Sequence, residues 1–422
     1  MSKISPCLFF VLMALLACSK DGFVDDYSIP DQVVTKVTLN DGQTEFMKTG
    51  NQFSLNLLDK AYTGQNLVLS PLSLQMALAM TLNGAAGETA QEIKRALGYG
   101  ANTEKDINEY YKHLMEQFPN VDKSITLNLL NGIVTDVEFT LKKVFKNTLK
   151  EYYYAPAESY PFESSETLKL INDWAGRNTE WQVYPLLDKL PGDAVSVILD
   201  AVYFKARWRC VYNFKTESRD FINEHGNSAR RDFMCSKVGM PYYGTDVFQL
   251  IELPYAQDIF TMYVMLPREQ RTGSCKDLIA SLSEEALSAT FRSVENKYVS
   301  VILPQYEIES SLKLKDQLKM VGIEKAFDKY EADFTGMCET DGKRLWIDNV
   351  HQKTVFKVTK WGTEAASGTA VVHGQPIDDM DLIDDDGAIV FNANHPFLFF
   401  VVERGTGAIL FEGVFSGEEV IN

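Results

Sequence analysis

Imidazoles and thiols are scarce in this chain. Its five histidines are His113, His225, His351, His373 and His395, and its six cysteines are Cys7, Cys18, Cys210, Cys235, Cys275 and Cys338. Structural and catalytic zinc sites draw Cys and His from close, regular spacings, and neither C-x-x-C nor H-E-x-x-H occurs. The G-x-S-x-G elbow that exposes a serine nucleophile is absent as well. No Walker loop is present, and Gly98-Tyr99-Gly100 lacks the third glycine of a dinucleotide-binding turn. A Ser-His-Asp triad needs no closeness in sequence and stays open on these grounds. Lys and Arg total 41 against 58 Asp and Glu, a net charge of −17. Such a balance argues against nucleic acid and anionic lipid as partners. No small-molecule cofactor is implied.

The unusual stretch runs from Gly362 to Asn394. Read with a period of two, Thr363, Ala365, Ser367, Thr369 and Val371 form one face, and Glu364, Ala366, Gly368, Ala370 and Val372 the other. That is a strand of small residues. It leads through His373-Gly374-Gln375-Pro376 into an acidic run containing Asp378, Asp379, Asp381, Asp384, Asp385 and Asp386, and Lys and Arg are missing throughout. A connection this long inside a compact domain is usually functional or disordered.

The elements that must carry it come from a core-forming composition: 422 residues, 45% hydrophobic and 12% aromatic. Phe53, Leu57, Leu58 and Ala61 share one face of a helix expected near 48–62. Ser70 to Gly84 reads as a helix with an N-cap serine and Pro71 in its first turn, apolar almost all round and so buried. Thr89-Ala90-Gln91-Glu92 reads as a capping box, with further helices near 103–117 and 139–153. Strands are expected at 124–134, 195–208, 247–254, 259–267, 298–308 and 352–359, then as a hairpin of 397–403 with 408–415. Both faces of 195–208 are apolar enough to be covered. Helices first, then large mixed or antiparallel sheets with interspersed helices, make an α+β fold. Cys210, Cys235, Cys275 and Cys338 have no regular spacing; one disulfide after export and scattered thiols are both open readings.

At the N-terminus Lys3 precedes the apolar run Leu8–Ala17, too short to span a bilayer as a mature helix. Leu15-Leu16-Ala17-Cys18 resembles a bacterial lipoprotein box, in which Cys18 is lipidated and becomes the new N-terminus. The alternative is an ordinary secretory signal. Expected organisation is therefore a signal peptide over 1–17, a tether over 18–44 and a single domain over 45–422. The protein would be exported, held at an outer membrane or cell surface by its lipid, or else secreted.

Gly362-Thr363-Glu364-Ala365-Ala366 resembles the hinge of the serpins, and the resemblance covers the chain from about residue 45 onward. Matching pieces include Asn66-Leu67-Val68-Leu69-Ser70-Pro71, Ile171-Asn172-Asp173-Trp174, Tyr203-Phe204-Lys205-Ala206-Arg207-Trp208, Glu252-Leu253-Pro254-Tyr255, Ala332-Asp333-Phe334-Thr335-Gly336 and His395-Pro396-Phe397. Each is weak alone; their order and spacing are not. The resemblance implies a monomeric protease inhibitor rather than an enzyme. A target serine or cysteine protease attacks the exposed loop, and the loop's first half enters the main sheet as a new strand.

It further implies a hinge over Gly362, Thr363, Glu364, Ala365, Ala366, Ser367, Gly368, Thr369 and Ala370. Ser70, Ser73, Asp200 and His351 would form the shutter that governs sheet opening, with a buried Asp200–His351 ion pair expected, and Trp208 would mark the breach where insertion begins. The attacked bond falls by family spacing on Pro376, a residue proteases handle poorly, so Gln375, Ile377, Met380 and Leu382 are candidates beside it. Without Lys or Arg the loop does not suit trypsin-like enzymes. Departures from the family pattern are Lys360-Trp361 before the hinge, Asp200 where Asn is usual, and 34 positions from Gly362 to Pro396, a lengthened loop. The competing reading is a non-inhibitory serpin acting as a binding or structural surface protein.

Overall fold

The computed structural model describes residues 36–190, 194–209, 212–339, 342–363, 384 and 386–418. Its first helix, Asp41–Ala61, starts earlier than the apolar pattern indicates, because Asn40 and Gln43 cap each other's backbone N–H groups. The folded body thus begins before residue 45, with Val37 already buried. Helix Pro71–Leu82 is buried along its whole length, as a helix apolar on every side must be. Helices Glu104–Val121 and Lys143–Tyr153 follow. The capping box expected at Thr89–Glu92 does not form. Helix Gly87–Ala96 starts two residues before Thr89, whose hydroxyl accepts from Asp333 N at 3.0 Å. Glu92 accepts from Glu324 N and Lys325 N at 2.8 and 2.7 Å, so both side chains tie a distant segment instead.

Two large sheets account for most strands. The six-stranded sheet runs Tyr306–Lys313, Asn349–Thr359, Gly362–Thr363, Ser196–Arg207, Thr126–Asp136, Ala157–Tyr160. The other runs from Leu67–Leu69 through the hairpin Ile409–Phe415 and Phe397–Glu403 to Phe260–Pro267, Phe248–Pro254, Ser228–Gly244, Glu295–Pro304 and Ile389–Asn392. The single strand expected at 298–308 is in fact two. Gln305 breaks the run, its N–H donating to Asp232 O at 2.8 Å, and the chain crosses from one sheet to the other.

The central strand Ser196–Arg207 is covered on both faces. Ile198, Val202, Phe204 and Ala206 enter the main core, whereas Val197, Leu199 and Ala201 enter a smaller core with Ile171 and Ala175 of helix Ser165–Asn178. Alternation therefore sends even-numbered side chains of this strand inward, Asp200 among them. The return strand, Asn349–Thr359, does the same with Val350, Phe356 and Val358. Cys235, Cys275 and Cys338 are free thiols; Cys210 and Cys18 lie outside the described residues.

Candidate functional site

Central and return strands pair in parallel only at one end, from Asn349 opposite Val197 to Thr354 opposite Val202. Toward the other end the chain turns back after Thr359, and Gly362–Thr363 lies between them, antiparallel to both. The turn is made by Lys360 and Trp361. Trp361 N donates to Thr359 Oγ1 at 3.2 Å, and Lys360 lies over the half-exposed indole at 4.8 Å. Lys360 and Trp361, which depart from the family pattern before the hinge, are thus turn residues. Gly362 sits at φ 145°, and a Cβ there would come within 2.1 Å of Ala206 O, so only glycine fits.

Trp208 caps the central strand beside this entering segment. Its ring stacks on Tyr255 with centroids 4.7 Å apart and 17° between planes, and its Nε1–H donates to Thr359 O at 3.0 Å. Tyr255 in turn reaches the hinge: its hydroxyl and Thr363 Oγ1 are 2.5 Å apart, and Thr363 is 1% exposed. Burial pushes the Tyr255 phenol well above its usual pKa. The turn after Tyr255 has left-handed Ala256 and Asp258, with φ of 30° and 68°. Asp258 is held by Arg209 Nη1 at 2.7 Å and by Arg404, and Gln257 N donates to Asp122 Oδ2 at 3.1 Å. Tyr255 had no role in the sequence reading. The signal was there in Glu252-Leu253-Pro254-Tyr255, where a hydroxyl follows directly on a buried strand.

The second cluster lies where the two strands pair. Ser73 Oγ donates to Asp200 Oδ1 at 2.5 Å and receives Asn131 Nδ2–H at 3.2 Å. Gln352 Nε2 donates to Asp200 Oδ2 at 2.6 Å and to Ser70 O at 2.9 Å, while its Oε1 accepts from Ser70 N at 2.9 Å. Ser70 occupies the helix N-cap without making a side-chain cap bond; its hydroxyl donates to Leu410 O at 2.9 Å. The cluster joins the buried helix to both strands of the main sheet. Burial raises the Asp200 carboxyl to about 7, and the Ser73 and Gln352 bonds only partly oppose this.

The expected Asp200–His351 ion pair does not form. Residues 351 and 352 alternate across the strand, and Gln352 is the one that faces Asp200. His351 is buried on the other face, its Nε2 has no partner, and burial with nearby Lys313 lowers it to about 4 rather than raising it. Gln352, not His351, is the residue of this strand that joins Ser70, Ser73 and Asp200. Hinge residues Glu364, Ala365, Ala366, Ser367, Gly368, Thr369 and Ala370 and bond candidates Gln375, Pro376, Ile377, Met380 and Leu382 lie outside the described residues. Among the described residues no metal-holding cluster of His, Cys, Asp or Glu occurs, and no helix is long and apolar enough to cross a membrane.

The family model "Serpin (serine protease inhibitor)" matches residues 48–417. Serpin B6 of Bos taurus is 31% identical over 382 residues, covering 86% of this chain and 97% of its own. An uncharacterised serpin-like protein of Thermococcus kodakarensis is 29% identical over 368 residues, covering 86% and 83%. Among solved structures, the native-state thermophilic serpin tengpin superposes with a TM-score of 0.79 at 26% identity, covering 91% of this chain and 96% of that one. Human thyroxine-binding globulin complexed with thyroxine gives 0.78 at 22% identity, which shows shared fold alone. With the family model matching most of its length, this chain belongs to the serpin family, whose members are generally protease inhibitors.

Proposed function

We propose that this serpin is a suicide-substrate inhibitor of non-trypsin-like serine or cysteine proteases. The observation that carries the reading is the register of the entering segment. Across Gly362 the return strand places Thr359 opposite Arg207, and lower down it places Gln352 opposite Asp200. The offset is 152 in both (359 less 207, 352 less 200). The two strands need only part sideways, without slipping, to admit a new strand between them. In that register Ser367 meets the Val202–Thr354 pair and Thr369 meets Asp200–Gln352. Each inward position from Thr363 to Val371 is small or β-branched, which suits passage into a packed core.

A protease cleaving the loop forms an acyl-enzyme on the new end. Insertion of about fifteen residues at roughly 3.3 Å each then carries it about 50 Å away before water releases it. The new strand gains ladder hydrogen bonds and burial absent beforehand, so the starting state is kinetically rather than thermodynamically held. On this reading residues 1–17 are removed, Cys18 carries the lipid, and the segment before Val37 tethers a monomer to the envelope. The rival, non-inhibitory reading is compatible with the shared shape, but bulky or charged inward hinge residues, which would block insertion, are missing here. Cleavage inside 364–384 by a protease that escapes trapping should raise the unfolding temperature. An unchanged or lowered temperature refutes insertion.

A further inference from the structure

The far end of the loop returns to the body as a strand that is weak on its own. Ile389–Asn392 is four residues long, pairs in parallel with Glu295–Pro304 and stands at the end of its sheet. Its apolar hold is the fully buried Phe391, with Ala388 and Ala393 buried on either side. Before this strand the chain closes a turn on itself. Asp384 N donates to Ala388 O and Gly387 N to Asp384 O, both at 2.9 Å, with Gly387 left-handed at φ 79°. The Asp384 carboxylate accepts from Asp386 N at 3.1 Å and from Ala388 N at 3.0 Å.

One side chain ties that turn to the body. Lys237, on strand Ser228–Gly244, stands opposite Ser300, and Ser300 stands opposite Val390, so the lysine shares a row with the returning strand. Its Nζ pairs with Asp384 Oδ2 at 2.6 Å and donates to Asp386 Oδ2 at 2.7 Å. Among the described residues no other Lys or Arg pairs with either carboxylate. The bond from Lys237, and then the Ala388 N–H, hold the Asp384 carboxyl below its usual range. An exposed ion pair normally loses most of its worth to the entropy of fixing two side chains. Here the Asp384 carboxylate is already fixed by two backbone N–H groups, so little beyond Lys237 has to be ordered.

We propose that Lys237 is the far anchor of the reactive loop and that it divides the acidic run in two. Asp384 and Asp386 belong to the body, whereas Asp378, Asp379 and Asp381 belong to the segment a protease can attack. For a protease the loop then ends at the bond before Asp384, however long the connection to the returning strand. A cut ahead of the anchor leaves Asp384 onward on the sheet and frees the other new end to travel. Lys237 acts through the two aspartates and touches no reacting atom, so it is a positioning residue. The inference rests on the inhibitor reading for its purpose, but not for its test.

An endoproteinase that cuts on the amino side of aspartate turns the run into a ruler. In brief digests of the full-length protein, mass spectrometry of wild type should find C-terminal peptides beginning at Asp378, Asp379 or Asp381, and hardly any beginning at Asp384 or Asp386. Lys237→Met should raise the share beginning at Asp384 or Asp386 about fivefold, the size of exposed ion pairs. Cutting at 378–381, the internal reference, should keep its rate. Lys237→Arg should keep the wild-type share. Salt at about 1 M should act on wild type as Lys237→Met does and add nothing to that variant. Equal cutting before Asp381 and Asp384 in wild type, a Lys237→Met share no different from wild type, or a wild-type share indifferent to salt overturns the inference. Heat resistance of the nicked wild type reports on insertion separately. If it fails to rise, the functional reading falls while the share still decides the anchor.

Discussion

Gln352 gives one amide hydrogen bond to Asp200 at 2.6 Å and one to Ser70 O at 2.9 Å, so a single side chain bridges the return strand, the central strand and the buried helix. Any strand entering between Asn349–Thr359 and Ser196–Arg207 must break the first of these bonds. On the proposed mechanism the lock lies on the path of insertion, six rows below the row of Thr363.

Asp200 makes that lock sensitive to pH. Its folded pKa of about 7 lies above the unfolded value near 3.9, so the native state holds the extra proton. Stability from this group is full below about pH 4 and is lost as pH rises through 7, by roughly 4 kcal/mol at most. Glu412, raised to about 8 by burial, slopes the same way. Asp200→Asn should therefore unfold at a higher temperature than wild type at pH 8 and at nearly the same temperature below about pH 4. An equal difference at both pH values would show that Asp200 does not titrate in this range.

His351 behaves oppositely. Burial and Lys313 hold it near 4, so the folded state stays neutral and the contribution of His351 fades as pH falls from about 6.5 toward 4. NMR titration should find it well below 6.5 and unmoved by Asp200→Asn. A raised pKa that drops in the variant would restore the ion pair this structure lacks.

The hinge end can be loosened at two positions. Gly362→Ala puts a Cβ against Ala206 O at a φ of 145°, at a cost on the order of 1–3 kcal/mol. Tyr255→Phe keeps the stack on Trp208 but strips the hydroxyl from Thr363, a loss of about 1 kcal/mol. Both variants should be nicked faster near 362–366 under limited proteolysis. Unchanged nicking in both would mean the segment is not held here.

Much of this was legible in the sequence, and its failures have physical reasons. The all-apolar Pro71–Leu82 helix, the doubly covered central strand and the hinge stood out through periodicity and residue size. Strands Lys215–Ile222 and Ser228–Gly244 did not, because charged residues on both faces, Arg219 beside Asp220 and Arg230 beside Arg231, mask their alternation. At the shutter, a one-residue slip moved the assignment from Gln352 to His351. In a strand that slip exchanges the two faces, and histidine draws attention that glutamine does not.

Anchoring has its own test. If Cys18 carries the lipid, Cys18→Ala should leave the membrane fraction for the soluble one. A variant that partitions like wild type would end the lipoprotein reading and leave the inhibitor reading untouched.

The most direct measurement of the central claim is a denaturing gel of the protein mixed with chymotrypsin-, elastase-, subtilisin- or papain-like proteases, with mass spectrometry of the released peptide. Trapping predicts a covalent complex that survives denaturation and a C-terminal peptide beginning between residues 376 and 384. Thr363→Arg, which places a cation on the inward face beside Tyr255, should be cleaved at the same bond yet release active protease. Cleavage without any stable complex, or a Thr363→Arg variant that traps at wild-type stoichiometry, would contradict insertion as the mechanism.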